Sequence, residues 1–198
     1  MATSLVIIIT KQALLVDNPI IAYNYLYMAN QAFIDGQNLQ LGTTKARPAW
    51  KIDLAHFRVY LRDKYAVEEA YYFMGAFDSQ YQDLYNSIQK FGYIITFREH
   101  AESFVSKKKG NVDTDIVFTI MKKLIEKEKF DKVILVSGDG DYWRMVDYLI
   151  TKGKFGKLLV PNKKSMSSLY RIRTPDTYRD YLDSEPIKKK IIYKKKSA

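Results

Sequence analysis

Aspartate occurs in three short segments of this chain where a carboxylate could do chemistry. Phe33-Ile34-Asp35-Gly36-Gln37-Asn38 puts Asp35 at the end of an apolar run. Gly110-Asn111-Val112-Asp113-Thr114-Asp115 puts Asp113 at the start of a helical pattern. Val136-Ser137-Gly138-Asp139-Gly140-Asp141-Tyr142 puts Asp139 and Asp141 in a turn behind a second apolar run. Carboxylates that converge in one crevice repel each other, and a divalent cation removes that cost. The chain has no cysteine and only two histidines, His56 and His100. Thiolate ligands are excluded and a cage of several histidines is disfavoured, so the ligands must be oxygens. Such a set suits a hard cation, Mg²⁺ or Mn²⁺. One or two such ions can activate a water and clamp a phosphodiester for in-line displacement. The Ser137 hydroxyl and the Asn38 amide are candidate contacts to substrate or water. Gly36, Gly138 and Gly140 leave backbone room for a phosphate. Each acid also has a plain structural reading. Asp141 could cap a helix, Asp113 could sit in a first helical turn, and Asp35-Gly36 could be a turn. Three such segments together favour a site.

The elements that must position these acids alternate along the chain. Apolar strands read at 32–34, 67–77, 93–97, 133–136 and 158–160. Helical spacing reads at 52–64, 79–91, 112–128 and 141–152, with Gly92 and Gly153 closing two of them. Repeated strand–helix alternation predicts an α/β fold with a mostly parallel sheet and helices on both faces. In such sheets a site forms beyond the C-terminal strand ends, where the strand order switches. Asp35 and Asp139 both fall at such ends. With 198 residues and 47% apolar content, one domain can bury a full core.

Charge suggests the partner. Lys and Arg number 32 against 22 Asp and Glu, a formal net charge of +10. Lys107, Lys108 and Lys109 precede the central acidic motif in a polar loop, 101–111, expected over the active edge. Arg98, Lys163, Lys164, Arg171 and Arg173 add charge near strand or loop ends. The segment 184–198, with Lys188–Lys190 and Lys194–Lys196, reads as a solvated basic tail that contacts a polyanion. Such contacts give salt-dependent affinity with little sequence information. Aromatics at 14% supply stacking partners for bases. His56 reads as a surface or packed residue, and His100 lies beside the basic loop. Residues 1–28 read as an N-terminal extension or an added element of the domain. No apolar run is long enough to span a membrane. No secretory pattern appears and cysteine is absent, so a cytoplasmic protein is expected.

The FIDGQN, KGNVDTD and SGDGDY segments, in this order and spacing, resemble the NYN domain family of PIN-like nucleases. KGKFGKLLVPN and SMSSLYRI resemble its bacterial LabA-like (DUF88) branch. The resemblance spans about residues 29–182, within a domain read as 29–183. It implies a three-layer PIN-like α/β/α sandwich with five strands in the order 3-2-1-4-5. It also implies a metal-dependent endoribonuclease, with Asp35, Asp113, Asp139 and Asp141 holding the cation and a nucleophilic water. The products it implies are a 3′-hydroxyl and a 5′-phosphate. Asp115 is a neighbour whose role stays open. Many relatives carry a further acid after the central motif, where Thr119 stands here, and that departure favours one ion over two. The alternative on the same fold is a non-catalytic RNA-binding or regulatory adaptor. A phosphatase or a DNA-acting nuclease fits the basic segments less well. RNA is the expected partner, and a homodimer stays open.

Overall fold

The computed structural model describes residues 29–98 and 112–194. Strand β1 (Asn30–Asp35) shows why this chain makes a central sheet. Its residues 31–35 are all buried. Side chains alternate, so Ala32 and Ile34 enter one apolar cluster and Phe33 enters another on the opposite face. A strand buried on both faces needs helices on both sides. Strand β4 (Val133–Val136), the VILV run, repeats this pattern: Ile134 and Val136 face one cluster, Val133 and Leu135 the other.

Around these lie β2 (Val67–Met74), β3 (Ile94–Phe97), β5 (Phe155–Val160) and β6 (Arg179–Tyr181). The sheet runs β3-β2-β1-β4-β5-β6, and every pairing is parallel. The expected order 3-2-1-4-5 is present, with a sixth strand added beside β5. Helices α1 (Gly36–Thr44), α2 (Leu54–Tyr65) and α3 (Gln82–Lys90) contribute Leu39, Phe57, Leu61 and Ile88 to the first cluster. Helices α4 (Asp113–Ile125), α5 (Trp143–Thr151) and α6 (Ser168–Arg173) contribute Ile116, Ile120, Leu149 and Tyr170 to the second. The result is a three-layer α/β/α sandwich. Gly92 and Gly153 close α3 and α5 with positive φ, as expected.

The C-terminal segment departs from the solvated tail read in the sequence. Helix α7 (Glu185–Ile191) docks against α2, with Ile191 fully buried and Ile187 packed beside it. Spaced four apart, these two isoleucines give the helix an apolar stripe. The chain then continues along residues 51–53. Asp53 N–H donates to Ile191 O, Tyr193 N–H donates to Lys51 O, and Ile52 bridges Ile192 antiparallel. Two of the lysines bring their ammonium groups over rings: Lys188 Nζ lies over Trp50 and Lys190 Nζ over Tyr60, at 5.4 and 6.0 Å from the ring centroids. Residues 1–28, residues 99–111 with His100 and Lys107–Lys109, and residues 195–198 lie outside the described residues. Among the described residues no helix is long and apolar enough to cross a membrane.

Candidate metal centre

The acids gather where the strand order reverses, between β1 and β4. Strand alternation carries Phe33 and then Asp35 toward the α4–α5–α6 layer. Asp35 is only 4% exposed and caps α1, its Oδ1 accepting the Asn38 N–H at 2.9 Å. Asn38 reaches across to the next strand, its Oδ1 accepting the Gly138 N–H at 2.9 Å. The turn after β4 is shaped by its own side chains. Ser137 is fully buried and its Oγ accepts the Asp139 N–H at 3.1 Å. Asp139 Oδ1 in turn accepts the Asp141 N–H at 3.0 Å. Asp113 is the first residue of α4.

This brings three of the four expected acids into mutual reach. Asp113, Asp139 and Asp141 each offer a carboxylate oxygen, all within 4.8 Å of one another. A hard cation with ligands at 2.0–2.1 Å sets neighbouring ligand oxygens roughly 3.0 Å apart and opposite ones roughly 4.2 Å apart. The observed spread admits that arrangement, so the residues present fit a small divalent cation. Asp35 joins from behind, through Tyr142. That phenol is fully buried, with its hydroxyl 3.2 Å from Asp35 Oδ2 and hydrogen-bonded to Asp113 Oδ1. A hydroxyl has one proton, so two carboxylates share one donor. Burial is the main cause that raises the Asp35 pKa above the usual carboxylate range. The Asn38 N–H opposes it, Asp113 raises it further, Tyr142 opposes it, and Asp139 raises it again. Burial, with Asp35 and Asp113 beside it, pushes the Tyr142 phenol far up, so it stays protonated.

Other expected residues fall differently. Ser137 is fully buried and holds the turn, and the Asn38 amide oxygen ties two strand ends together. These two oxygens are thus engaged within the fold, and contact of either residue with substrate stays a proposal. The glycines give a correction. A Cβ on Gly36 would sit 2.5 Å from a Tyr72 ring atom, and one on Gly140 would sit 2.3 Å from Ser167 Oγ. At these two positions the space is filled by close packing of protein, whereas a Cβ on Gly138 would meet its nearest neighbour, Val160, at an ordinary 3.5 Å. Asp115 lies outside the three-acid group, and its buried Oδ2 has no hydrogen-bond partner among the described residues. Thr119 turns its hydroxyl back onto its own helix, donating to Asp115 O at 2.7 Å. Arg98 ends the β3 edge, its N–H donating to Met74 O. Lys163 lies over the Tyr181 ring, Arg171 donates to Met166 O, and Arg173 lies over Trp143. The Lys164 N–H donates to Asn162 Oδ1. His56 is a surface residue paired with Asp53. Tyr142 was missed because tyrosine reads as core by type. Its place directly after two acids in SGDGDY was the available signal. A cavity of about 690 Å³ lies beyond α1, lined by Leu39, Tyr72, Met74, Leu84 and Ile88 among others. It is mainly apolar and includes none of the four aspartates.

Comparison with known proteins bears on this geometry. The NYN domain model matches residues 31–178. The low amplitude and bright protein LabA of Synechococcus elongatus is 28% identical over 129 residues, covering 61% of this chain and 67% of LabA. A crystal structure of a Vibrio parahaemolyticus protein of unknown function superimposes with a TM-score of 0.63 at 19% identity. That match covers 84% of this chain and 96% of the other, and it supports the fold alone.

Proposed function

Because this chain belongs to the NYN domain family of PIN-like nucleases and is LabA-like in sequence, we propose that it is a divalent-metal-dependent endoribonuclease. The observation that carries this reading is the meeting of Asp113, Asp139 and Asp141 oxygens within 4.8 Å at the strand-order switch. These three would hold Mg²⁺ or Mn²⁺. Bound there, the cation supplies Lewis-acid activation of water and charge stabilisation at phosphorus. The protein's own part is positional. Asp139 and Asp141 are fixed by the hydrogen-bonded turn behind β4. Asp113 is steadied by the Tyr142 hydroxyl, which also gives the buried Asp35 a donor. An excess of ten positive charges draws a polyanion toward this acidic crevice. Lys107–Lys109 would contact the RNA backbone beside the central motif.

Thr119 favours a second reading, an RNA-binding adaptor, because its hydroxyl is bound to the helix and no fifth acid stands there. Cleavage of labelled mixed-sequence single-stranded RNA distinguishes the two. Wild type should cut with Mn²⁺ or Mg²⁺ and not with EDTA, and Asp139→Asn should lose at least ~100-fold in rate, the upper range seen for outer-shell partners of metal sites. No cutting by wild type, with salt-sensitive RNA binding retained, would replace the nuclease with the adaptor.

A further inference from the structure

Helix α6 is pressed onto the acidic turn. The Ser167 N–H donates to Gly138 O at 3.0 Å, and Ser167 Oγ occupies the space where a Gly140 Cβ would project. Tyr170, on that helix, is fully buried in the cluster that holds Tyr142, Val160 and Met166. Among the described residues its hydroxyl has no hydrogen-bond partner. A buried hydroxyl left without a partner destabilises the fold. Tyr142 next to it, by contrast, serves two carboxylates. Burial first, then Asp139, Asp113 and Asp141, pushes the Tyr170 phenol well above its ordinary pKa, so it keeps its proton. A proton donor in the field of three carboxylates, bonded to none of them, lacks an acceptor.

We infer that Tyr170 is a positioning residue of the metal centre, whose hydroxyl donates to an oxygen atom that enters the acidic cluster together with the cation. That oxygen belongs to water or to a phosphate. The inference rests on the metal-centre reading above and assigns a role to a residue that the acids alone do not require. Outer-shell donors of this kind fix the orientation of a coordinated group.

Tyr170→Phe tests it, because the ring that fills the core is kept and one oxygen is removed. Thermal unfolding of the full chain is followed in EDTA, in a Mn²⁺ titration, and in Mn²⁺ with uridine 5′-monophosphate. In EDTA the variant should unfold at or above the wild-type temperature, since an orphaned donor is gone. In the loaded protein, binding should weaken ~10–100-fold. Weakening with Mn²⁺ alone identifies the oxygen as water, and weakening only with the nucleotide identifies phosphate. A variant less stable than wild type in EDTA overturns the inference, because the hydroxyl then has a partner within the fold. A variant equal to wild type in both loaded arms also overturns it. If Mn²⁺ leaves wild type itself unmoved, with and without nucleotide, the metal centre falls and the role of Tyr170 falls with it.

Discussion

At the strand ends, Asp113, Asp139 and Asp141 turn their carboxylates toward one another. Along α7, three consecutive lysines do the opposite. Lys188 lies over Trp50, Lys190 over Tyr60, and Lys189 approaches Glu185 at 3.7 Å. Each lysine has a local partner of its own, so the repulsion between them is relieved within the chain. The three acids converge from a helix start and a strand-end turn, and a helix start cannot be moved without moving the helix. Like charges that are spread apart serve docking and solubility. Like charges that are forced together by rigid elements call for a cation. The difference lies in the backbone that carries them, not in the amount of charge.

Four substitutions press on that contrast. The largest effect should come from Ile191→Ala, since the burial of Ile191 anchors the basic helix and its lysines only decorate it. The expected loss is about 2–5 kcal/mol, read from the shift in the urea midpoint. An unchanged midpoint would mean that α7 contributes nothing to the fold and is a tail after all.

A smaller effect should come from Asp35→Asn in metal-free protein. The folded pKa of Asp35 is raised, so the folded state binds more protons than the unfolded state between the ordinary value and the raised one. Its contribution to stability is therefore highest in acid and falls as pH rises through that window. The variant should be more stable than wild type at pH 7, and the gain should vanish below about pH 4. Melting curves across pH test this, and a gain that persists in acid would remove the electrostatic explanation.

The smallest effects should come from Lys188→Ala and Lys190→Ala. Each should cost about 0.5–1 kcal/mol, as for exposed cation–π contacts. If the basic helix also touches RNA, each change lowers the slope of log affinity against log salt by about 0.7. A loss comparable to that of Ile191→Ala would invert the assignment of anchor and decoration.

Much of the fold was legible in local patterns. The VILV run could only be a strand covered on both faces, and alternation with helices made its neighbours parallel. Asp139 and Asp141 could be placed at a strand end for the same reason. Helix α1 was not legible. Its GQNLQLGTT sequence carries two glycines and two threonines, poor helix formers, and it begins because Asp35 caps it. The short β6 strand pairs with β5 through backbone bonds that carry no side-chain signature. The C-terminal helix was hidden by its lysines, although Ile187 and Ile191 stood four apart among them.

By itself the sequence determined the parallel sheet, its strand order through resemblance, and which carboxylates had the chance to meet. Periodicity and turn chemistry are local, and they survive without knowledge of what packs where. Only the tertiary structure decided that Asp113, Asp139 and Asp141 form the gap while Asp35 stands behind Tyr142. Only it showed the Tyr142 hydroxyl paired and the Tyr170 hydroxyl without an acceptor among the described residues. Those facts depend on the direction of single side chains that meet across long stretches of chain, 29 residues for Asp113 and Tyr142 and 107 for Asp35 and Tyr142, and packing sets that direction.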